Sequence, residues 1–349
     1  MFSATPALLL ANYFCALLRP HNQFPMIGLL RLDFRKRSSN RRPNANERRR
    51  RTRSRLALPP ALLRVRQGDC ISPKLFTAVL EEIFRELEWE DYGLSVNGRQ
   101  LTNLRFADDV VLIAKTEEEL QKMIEELNEV SLRSGLKMNK AKTKILATDE
   151  TTIRLNGEEI EQVEAFVYLG QEVRIARNHA KEVGRRIRCG WSVFRRYQEF
   201  LTSKTVQMRW KRRLHDQCIL PAMLYGCETW ALTQTAQRKL AAGQRRMERR
   251  VVGVRLLDKK SNDWLRGVTK FTDVVEAAKK RKWNYAWKLA NEASGKWSRQ
   301  LEEWRPPVTR PLGRPRTRWR DDFAKKLGTA RWQQRAREES HQEWANNGV

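Results

Sequence analysis

The sequence predicts an α+β fold, with helices on one face of a small antiparallel sheet, followed by an all-α and strongly basic region. Three observations predict it. From Val65 to about Gln171, stretches with helical apolar spacing alternate with short apolar runs bounded by hairpin-turn signals. Within them, the apolar run from Leu104 to Ala114 is broken by two adjacent acids, Asp108 and Asp109, which reads as a strand, a tight turn and a return strand. Beyond about residue 175 the pattern is helical and basic.

Each element has its own local signal. Ser72 before Pro73 starts a helix, the hydroxyl capping and the proline filling the first helical position. Leu75, Phe76, Val79, Leu80, Ile83, Phe84 and Leu87 then make one apolar face. Asn97-Gly98 is a hairpin turn after Leu94–Val96, and the Asp108-Asp109 hairpin follows. Thr116 and Glu119 form a capping box, opening a helix with the stripe Leu120, Met123, Ile124, Leu127 and Val130 and closed by Gly135. Strands are predicted at Lys144–Ala147, Thr152–Leu155 and Phe166–Leu169, with Asn156-Gly157 as a turn. Ile187, Trp191 and Phe194 form a stripe on a later helix, and Val274, Val275, Ala278, Trp283 and Trp287 belong to another helix or pair.

Composition divides the chain further. Arg35 to Arg55 holds eleven Lys or Arg opposed only by Glu47, so residues 1–62 are read as a basic, disordered segment, punctuated by Pro59-Pro60. The expected order is then 63–173 for the sheet domain, 174–255 for a helical region and 256–349 for a basic, Trp-rich helical region. Proline at 306, 307, 311 and 315 marks a linker in the last of these.

Lys and Arg number 69 against 41 Asp and Glu, a formal net charge of +28. Such an excess predicts a polyanionic partner, nucleic acid before anionic membrane. Of the 12 tryptophans, 11 lie from Trp191 onward among basic residues, where rings suit either stacked bases or helix packing. The five cysteines form no CxxC pair, which predicts a reducing compartment and no disulfide partner. His215, Cys218 and Cys227 fit no common zinc spacing and are read as structural. The longest apolar stretch, Ala7 to Leu18, is far short of the roughly 20 residues of a membrane span. A nuclear or cytoplasmic location is expected, the basic run favouring the nucleus.

The acid pair carries the chemistry. Two neighbouring carboxylates flanked by apolar residues ionise together when a divalent cation neutralises them. An ordinary Asp-Asp turn is the competing reading. The neighbouring segments decide between them. Arg66-Gln67-Gly68-Asp69 precedes Ser72-Pro73-Lys74-Leu75-Phe76, and a glycine there lets the backbone approach a flat base pair. Downstream, Gly135-Leu136-Lys137-Met138-Asn139-Lys140 and Lys142-Thr143-Lys144 supply ammonium groups that suit a triphosphate.

In this order the sequence resembles the reverse transcriptases of non-LTR (LINE-type) retrotransposons. The matching segments are RQGDxxSPxLF at Arg66 to Phe76, FADD at Phe106 to Asp109, GLKxNxxKTK at Gly135 to Lys144, and YLG at Tyr168 to Gly170. Ile219 to Trp230 resembles the family's thumb, as does Gly313-Arg314-Pro315 through Trp319. The resemblance implies a partial polymerase palm, a thumb-like helical region and a basic tail. It implies Asp108 and Asp109 as catalytic, metal-binding carboxylates for Mg²⁺ or Mn²⁺, and Lys142 as a catalytic lysine near the pyrophosphate. Arg66, Gln67, Gly68 and Phe106 are the implied template and nucleotide contacts. The implied partners are an RNA template, a DNA primer and a deoxynucleoside triphosphate.

The chain departs from the family before Arg66. A complete palm has a further aspartate on an earlier strand, and fingers that enclose the nucleotide. Leu32-Asp33-Phe34-Arg35-Lys36 echoes the start of that motif, but Arg37-Ser38-Ser39 replaces the small residue, aromatic and second acid that should follow. The 33 positions from Asp33 to Arg66 are too few for the intervening elements. Asp33 is therefore read as coincidental, and the expectation is a truncated RNA-directed DNA polymerase, inactive alone. The competing expectation is a non-catalytic nucleic-acid-binding protein using the Arg35–Arg55 arm and the Trp-rich tail. A palm-type cyclase is disfavoured by the Arg66–Phe76 match.

Overall fold

Nine residues in the basic N-terminal part, Met26–Phe34, form the central strand β1 of the sheet. The computed structural model describes residues 26–34, 69–174, 179–293, 295–304 and 317–347, in two compact units that divide between Glu164 and Ala165. The strand corrects the expectation of a structureless segment over 1–62. Its sequence, MIGLLRLDF, is a near-continuous apolar run, the pattern of a strand covered on both faces. The surrounding arginines masked that signal.

The first unit contains, in order, β1, helix α1 (Ser72–Arg85), β2 (Leu94–Val96), β3 (Arg99–Leu101), β4 (Asn103–Phe106), β5 (Asp109–Ala114), helix α2 (Glu117–Arg133), β6 (Leu136–Met138), β7 (Lys144–Leu146), β8 (Arg154–Leu155) and β9 (Glu158–Glu159). The main sheet runs β4-β5-β1-β6, with β7 also on β1. All pairs are antiparallel: Met26 to Arg31 face Ala114 to Asp109, Leu32 to Phe34 face Met138 to Leu136, and Ile27 to Leu29 face Leu146 to Lys144. Every residue of β5 after Asp109 is buried.

Helix α2 packs its predicted stripe, Leu120, Met123, Ile124, Leu127 and Val130, into one core with Leu30, Val110, Leu112 and Ile145. Gly28 permits that approach, since a Cβ there would stand 3.3 Å from Leu120 Cδ1. The two predicted Asn-Gly turns join β2 to β3 and β8 to β9, with all four residues at positive φ, as a two-residue hairpin turn of this type requires.

Two helix starts differ in detail from expectation. Helix α1 begins one residue early, with Ile71 at its N-cap position and no side-chain cap, because the Asp69 carboxylate takes the Ile71 N–H (3.1 Å). At α2 the Thr116 hydroxyl accepts from Glu119 N–H (3.2 Å), but the Glu119 carboxylate reaches back to Lys115 N–H (2.9 Å) and across to Gly93 N–H. Glu119 thus ties the helix start to the loop before β2 rather than closing a capping box.

The second unit opens on the hairpin of β10 (Ala165–Tyr168) and β11 (Gln171–Arg174). Helices follow: α3 (His179–Arg196), α4 (Gln198–Thr202), α5 (Met208–Leu214), one π-helical turn (His215–Ile219), α6 (Leu220–Met223), α7 (Gln234–Val252), α8 (Asn262–Thr269) and α9 (Val274–Ala290). One core joins Val183 and Phe194 of α3 to Ala278 of α9, running through the expected boundary at 255/256. A second, aromatic core joins Trp283 of α9 to α11 (Asp321–Leu327), α12 (Trp332–Glu338) and α13 (His341–Asn346), with α10 (Trp297–Glu303) between.

That aromatic core decides between the two uses of the tail's tryptophans for four of them. Trp283, Trp319, Trp332 and Trp344 are buried against one another and Phe323, with ring centroids 4.7–6.4 Å apart. Packing therefore takes these four rings, while Trp264 in the same region stays exposed.

The π-helical turn carries the buried His215 beside a half-buried Asp216. His215 stacks on Phe271 (4.2 Å between centroids) and meets Asp216 through Nδ1 (2.7 Å). Asp216 also accepts from Thr272 N–H (3.3 Å) and its hydroxyl (2.9 Å). Burial pushes the Asp216 carboxyl up, but the bonds from His215 and Thr272 outweigh it and hold the group below the ordinary range. A carboxyl lowered by folding stabilises above its unfolded pKa of about 3.9, and that contribution is lost as pH falls through the lower folded value. The expected result is that Asp216→Asn is less stable than the parent at neutral pH, with the gap closing below about pH 4. Urea titrations from pH 6 to pH 3 check it.

Candidate active site

The acid hairpin is built by β4 and β5, which close on the pair Phe106 and Asp109 with Ala107-Asp108 as the tip. Ala107 adopts φ +52°, a left-handed conformation that costs a side chain about 1–2 kcal/mol. The tip is thus held against a local preference. Asp108, Asp109 and Phe106 are half-buried. Arg105 ties the hairpin to helix α1 through Glu81 (3.0 Å) and lies 4.4 Å from the centre of the Phe84 ring.

Strand β1 runs beside β5 as far as the pair Arg31 and Asp109, two residues before Asp33. On its other edge, Asp33 pairs with Lys137 of β6. The reading of Asp33 as coincidental rested on the residues after it, whereas pairing is set by the apolar residues before it. The near-continuous apolar run Met26–Phe34 is the sequence signal for this strand.

Lys142 ends the 3₁₀ turn Lys140–Lys142 between β6 and β7, the two strands that line the far edge of β1. It is exposed. Lys140 pairs with Glu158 (2.5 Å) and Lys144 with Glu161. The Asn139 side chain caps this turn by accepting from Lys142 N–H (3.3 Å). Arg66, Gln67 and Gly68 lie outside the described residues. Among the described residues no three His, Cys, Asp or Glu side chains converge as metal ligands. The buried Cys227 has its thiol pushed well up by burial, which leaves it inert.

In the second unit, two of the family-like segments meet. The turn Leu169-Gly170, with φ +47° and +75°, is gripped from the helices. Tyr225 Oη donates to Leu169 O (3.0 Å), and both Arg185 and Arg186 donate to Gly170 O. The buried Glu182 carboxylate accepts from Arg185 (2.7 and 2.8 Å) and Arg186 (2.9 Å), and Arg186 lies 4.5 Å from the centre of the Tyr225 ring. Trp319 Nε1 donates to Glu228 O (2.7 Å), joining the third such segment.

Exposed aromatic and basic side chains also cluster in sequence between Arg188 and Arg213. Tyr197, Phe200 and Trp210 are exposed among the exposed cations Arg188, Arg195, Arg196, Lys204, Arg209 and Arg213. Arg209 stacks over Trp210 (5.2 Å). Sequence reasoning had pointed to the arm and the tail instead.

An antiparallel sheet whose hairpin tip presents paired aspartates, backed by helices on one face, is the architecture of a polymerase palm. Residues 55–173 match the reverse transcriptase (RNA-dependent DNA polymerase) family. A transposon-derived protein of Caenorhabditis elegans is 32% identical over 251 residues, 68% of this chain and 88% of that protein. The retrovirus-related Pol polyprotein of the type-1 retrotransposable element R2 of Nasonia vitripennis is 39% identical over 83 residues, 24% of this chain and only 8% of the polyprotein. The chain belongs to the reverse transcriptase family carried by non-LTR retrotransposons. That family is in general divalent-metal-dependent and acts on a nucleic-acid template and primer. Among the described residues, no helix is long and apolar enough to cross a membrane.

Proposed function

We propose that this chain binds template and primer and holds Mg²⁺ or Mn²⁺ between Asp108, Asp109 and Asp33, for addition of deoxynucleotides to a primer on an RNA template. The pairing of β1 with β5, which ends at Arg31 and Asp109 two residues before Asp33, supports this reading. The donor set fits the metal, because hard divalent cations take carboxylate oxygens. When bound, such ions stabilise charge on the attacking and leaving oxygens of an in-line phosphoryl transfer. The sheet's part is to fix the carboxylates before substrate arrives. Lys142 is our candidate proton donor to the leaving pyrophosphate, a role supported by its turn beside β1. Arg66, Gln67, Gly68 and Phe106 are the proposed contacts to template and incoming nucleotide.

The stretch 35–65 is too short to supply fingers that close over a nucleotide, so synthesis by the chain alone is expected to be slow. Primer extension on poly(rA)–oligo(dT), with Mg²⁺ or Mn²⁺, tests the reading. Weak extension lost in both Asp108→Ala and Asp33→Ala is expected. Extension indifferent to Asp33→Ala would remove β1 from the site.

A second reading, non-catalytic nucleic-acid binding, is favoured by the exposed aromatic and basic side chains between Arg188 and Arg213. If nucleic acid lies there, Arg195→Ala/Arg196→Ala reduces the salt slope of single-strand affinity by about 2 charges' worth. Fluorescence anisotropy across a salt series measures it, and an unchanged slope would exclude that segment.

A further inference from the structure

The connection from α7 to α8 exposes two adjacent leucines, Leu256 and Leu257, which are 78% and 84% accessible. No other large apolar side chain among those described is as open. Their loop is nevertheless firmly held. Gly253 N–H (2.9 Å) and Val254 N–H (3.0 Å) both donate to Arg249 O, closing α7. The Asp258 carboxylate takes the Arg255 N–H (2.7 Å), and Lys259 N–H donates to Leu256 O (3.1 Å), forming a short 3₁₀ turn. The Arg249 guanidinium then pins the far end, donating to Lys260 O (3.2 Å) and Asn262 Oδ1 (3.0 Å). Two leucines are thus presented to solvent by a fixed backbone, which keeps the ordering cost of covering them small.

The surrounding stretch adds to the feature. Trp264 and Val268, one turn apart on α8, are also exposed, while Leu265 and Thr269 on the opposite side are buried. Arg255, Lys259 and Lys260 are exposed on the loop itself, and Lys260 lies 5.3 Å from the centre of the Trp264 ring. Asp258, the acid within the loop, is committed to the turn. Exposed apolar side chains rimmed by charge mark an interaction surface.

We propose that the 255–268 surface docks a segment of a partner protein that carries acidic side chains among apolar ones. The leucines require an apolar counterpart, which a phosphate backbone does not offer. The cations require an acidic one. A second copy of this chain is disfavoured by its formal charge of +28, which repels its own kind.

The test pans a library of random peptides displayed on phage against the folded chain. Expected is enrichment of peptides with acids interleaved among apolar residues. Synthetic copies should bind Leu256→Ser/Leu257→Ser at least about tenfold more weakly than the parent. Lys259→Glu/Lys260→Glu, which leaves both leucines in place, should weaken them as well. Thermal melts of both variants should match the parent, because every replaced side chain is exposed. Enriched peptides without acids, or binding indifferent to the leucine pair, would overturn the proposal. So would a leucine-dependent loss seen only with phosphatidylserine vesicles or with a single-stranded oligonucleotide, which would assign the surface to those partners instead.

Discussion

Asp108→Asn is expected to slow primer extension by at least about a thousandfold while leaving template–primer affinity within about threefold. The substitution keeps the size of the side chain and removes its charge. Asp108 sits in the tip of a two-residue turn whose closing backbone pair is Phe106 and Asp109. What is lost is one of the oxygen donors that would draw a divalent ion to the tip, and with it the stabilisation of charge that builds only in the transition state. Binding of template and primer draws on a formal charge of +28 spread over the whole chain, and one neutralised acid changes that little. A large loss of affinity beside the loss of rate would mean that the hairpin contacts nucleic acid directly rather than through a metal. Unchanged extension would remove Asp108 from the chemistry altogether.

Much of the fold around this site was legible because its signals are local. Paired Asn-Gly residues dictate turns at positive φ, and the Leu120–Val130 stripe can be buried only as one face of a helix. The apolar residues on either side of Asp108 and Asp109 placed the acids on a hairpin. What was not legible depended on pairing across distance. Nothing beside Asp33 says that its strand lies between β5 and the β6–β7 pair, because sheet order is decided by which apolar strand is covered on both faces. The tryptophans show the same limit in reverse. Their basic neighbours gave Trp283, Trp319, Trp332 and Trp344 the look of a stacking surface, and only the packing of α9 against the last three helices shows that the rings face one another. Likewise, Tyr225 and Arg186 gained meaning once their helices reached the Leu169-Gly170 turn.

Gly93→Ala is expected to destabilise the first unit more than any other single-methyl addition in it, by about 3 kcal/mol or more. Gly93 lies at φ +77°, where a side chain costs about 1–2 kcal/mol by itself. A Cβ there would stand 2.3 Å from the carbonyl oxygen of Leu101 and 2.8 Å from its carbon, which is backbone of β3 and has no rotamer to escape into. Gly98, at a similar φ of +81°, has nothing within 4 Å of such a Cβ, so Gly98→Ala isolates the conformational cost from the clash. The difference between the two variants in urea denaturation therefore measures the contact alone. The site matters beyond stability, because Gly93 N–H shares the Glu119 carboxylate with Lys115 N–H, the residue that follows β5. Moving Gly93 loosens the start of α2, the helix that backs β1 and β5, and so slackens the support under Asp33 and Asp109. Extension by Gly93→Ala should accordingly fall at temperatures well below its unfolding midpoint, whereas Gly98→Ala should keep parental extension until it unfolds.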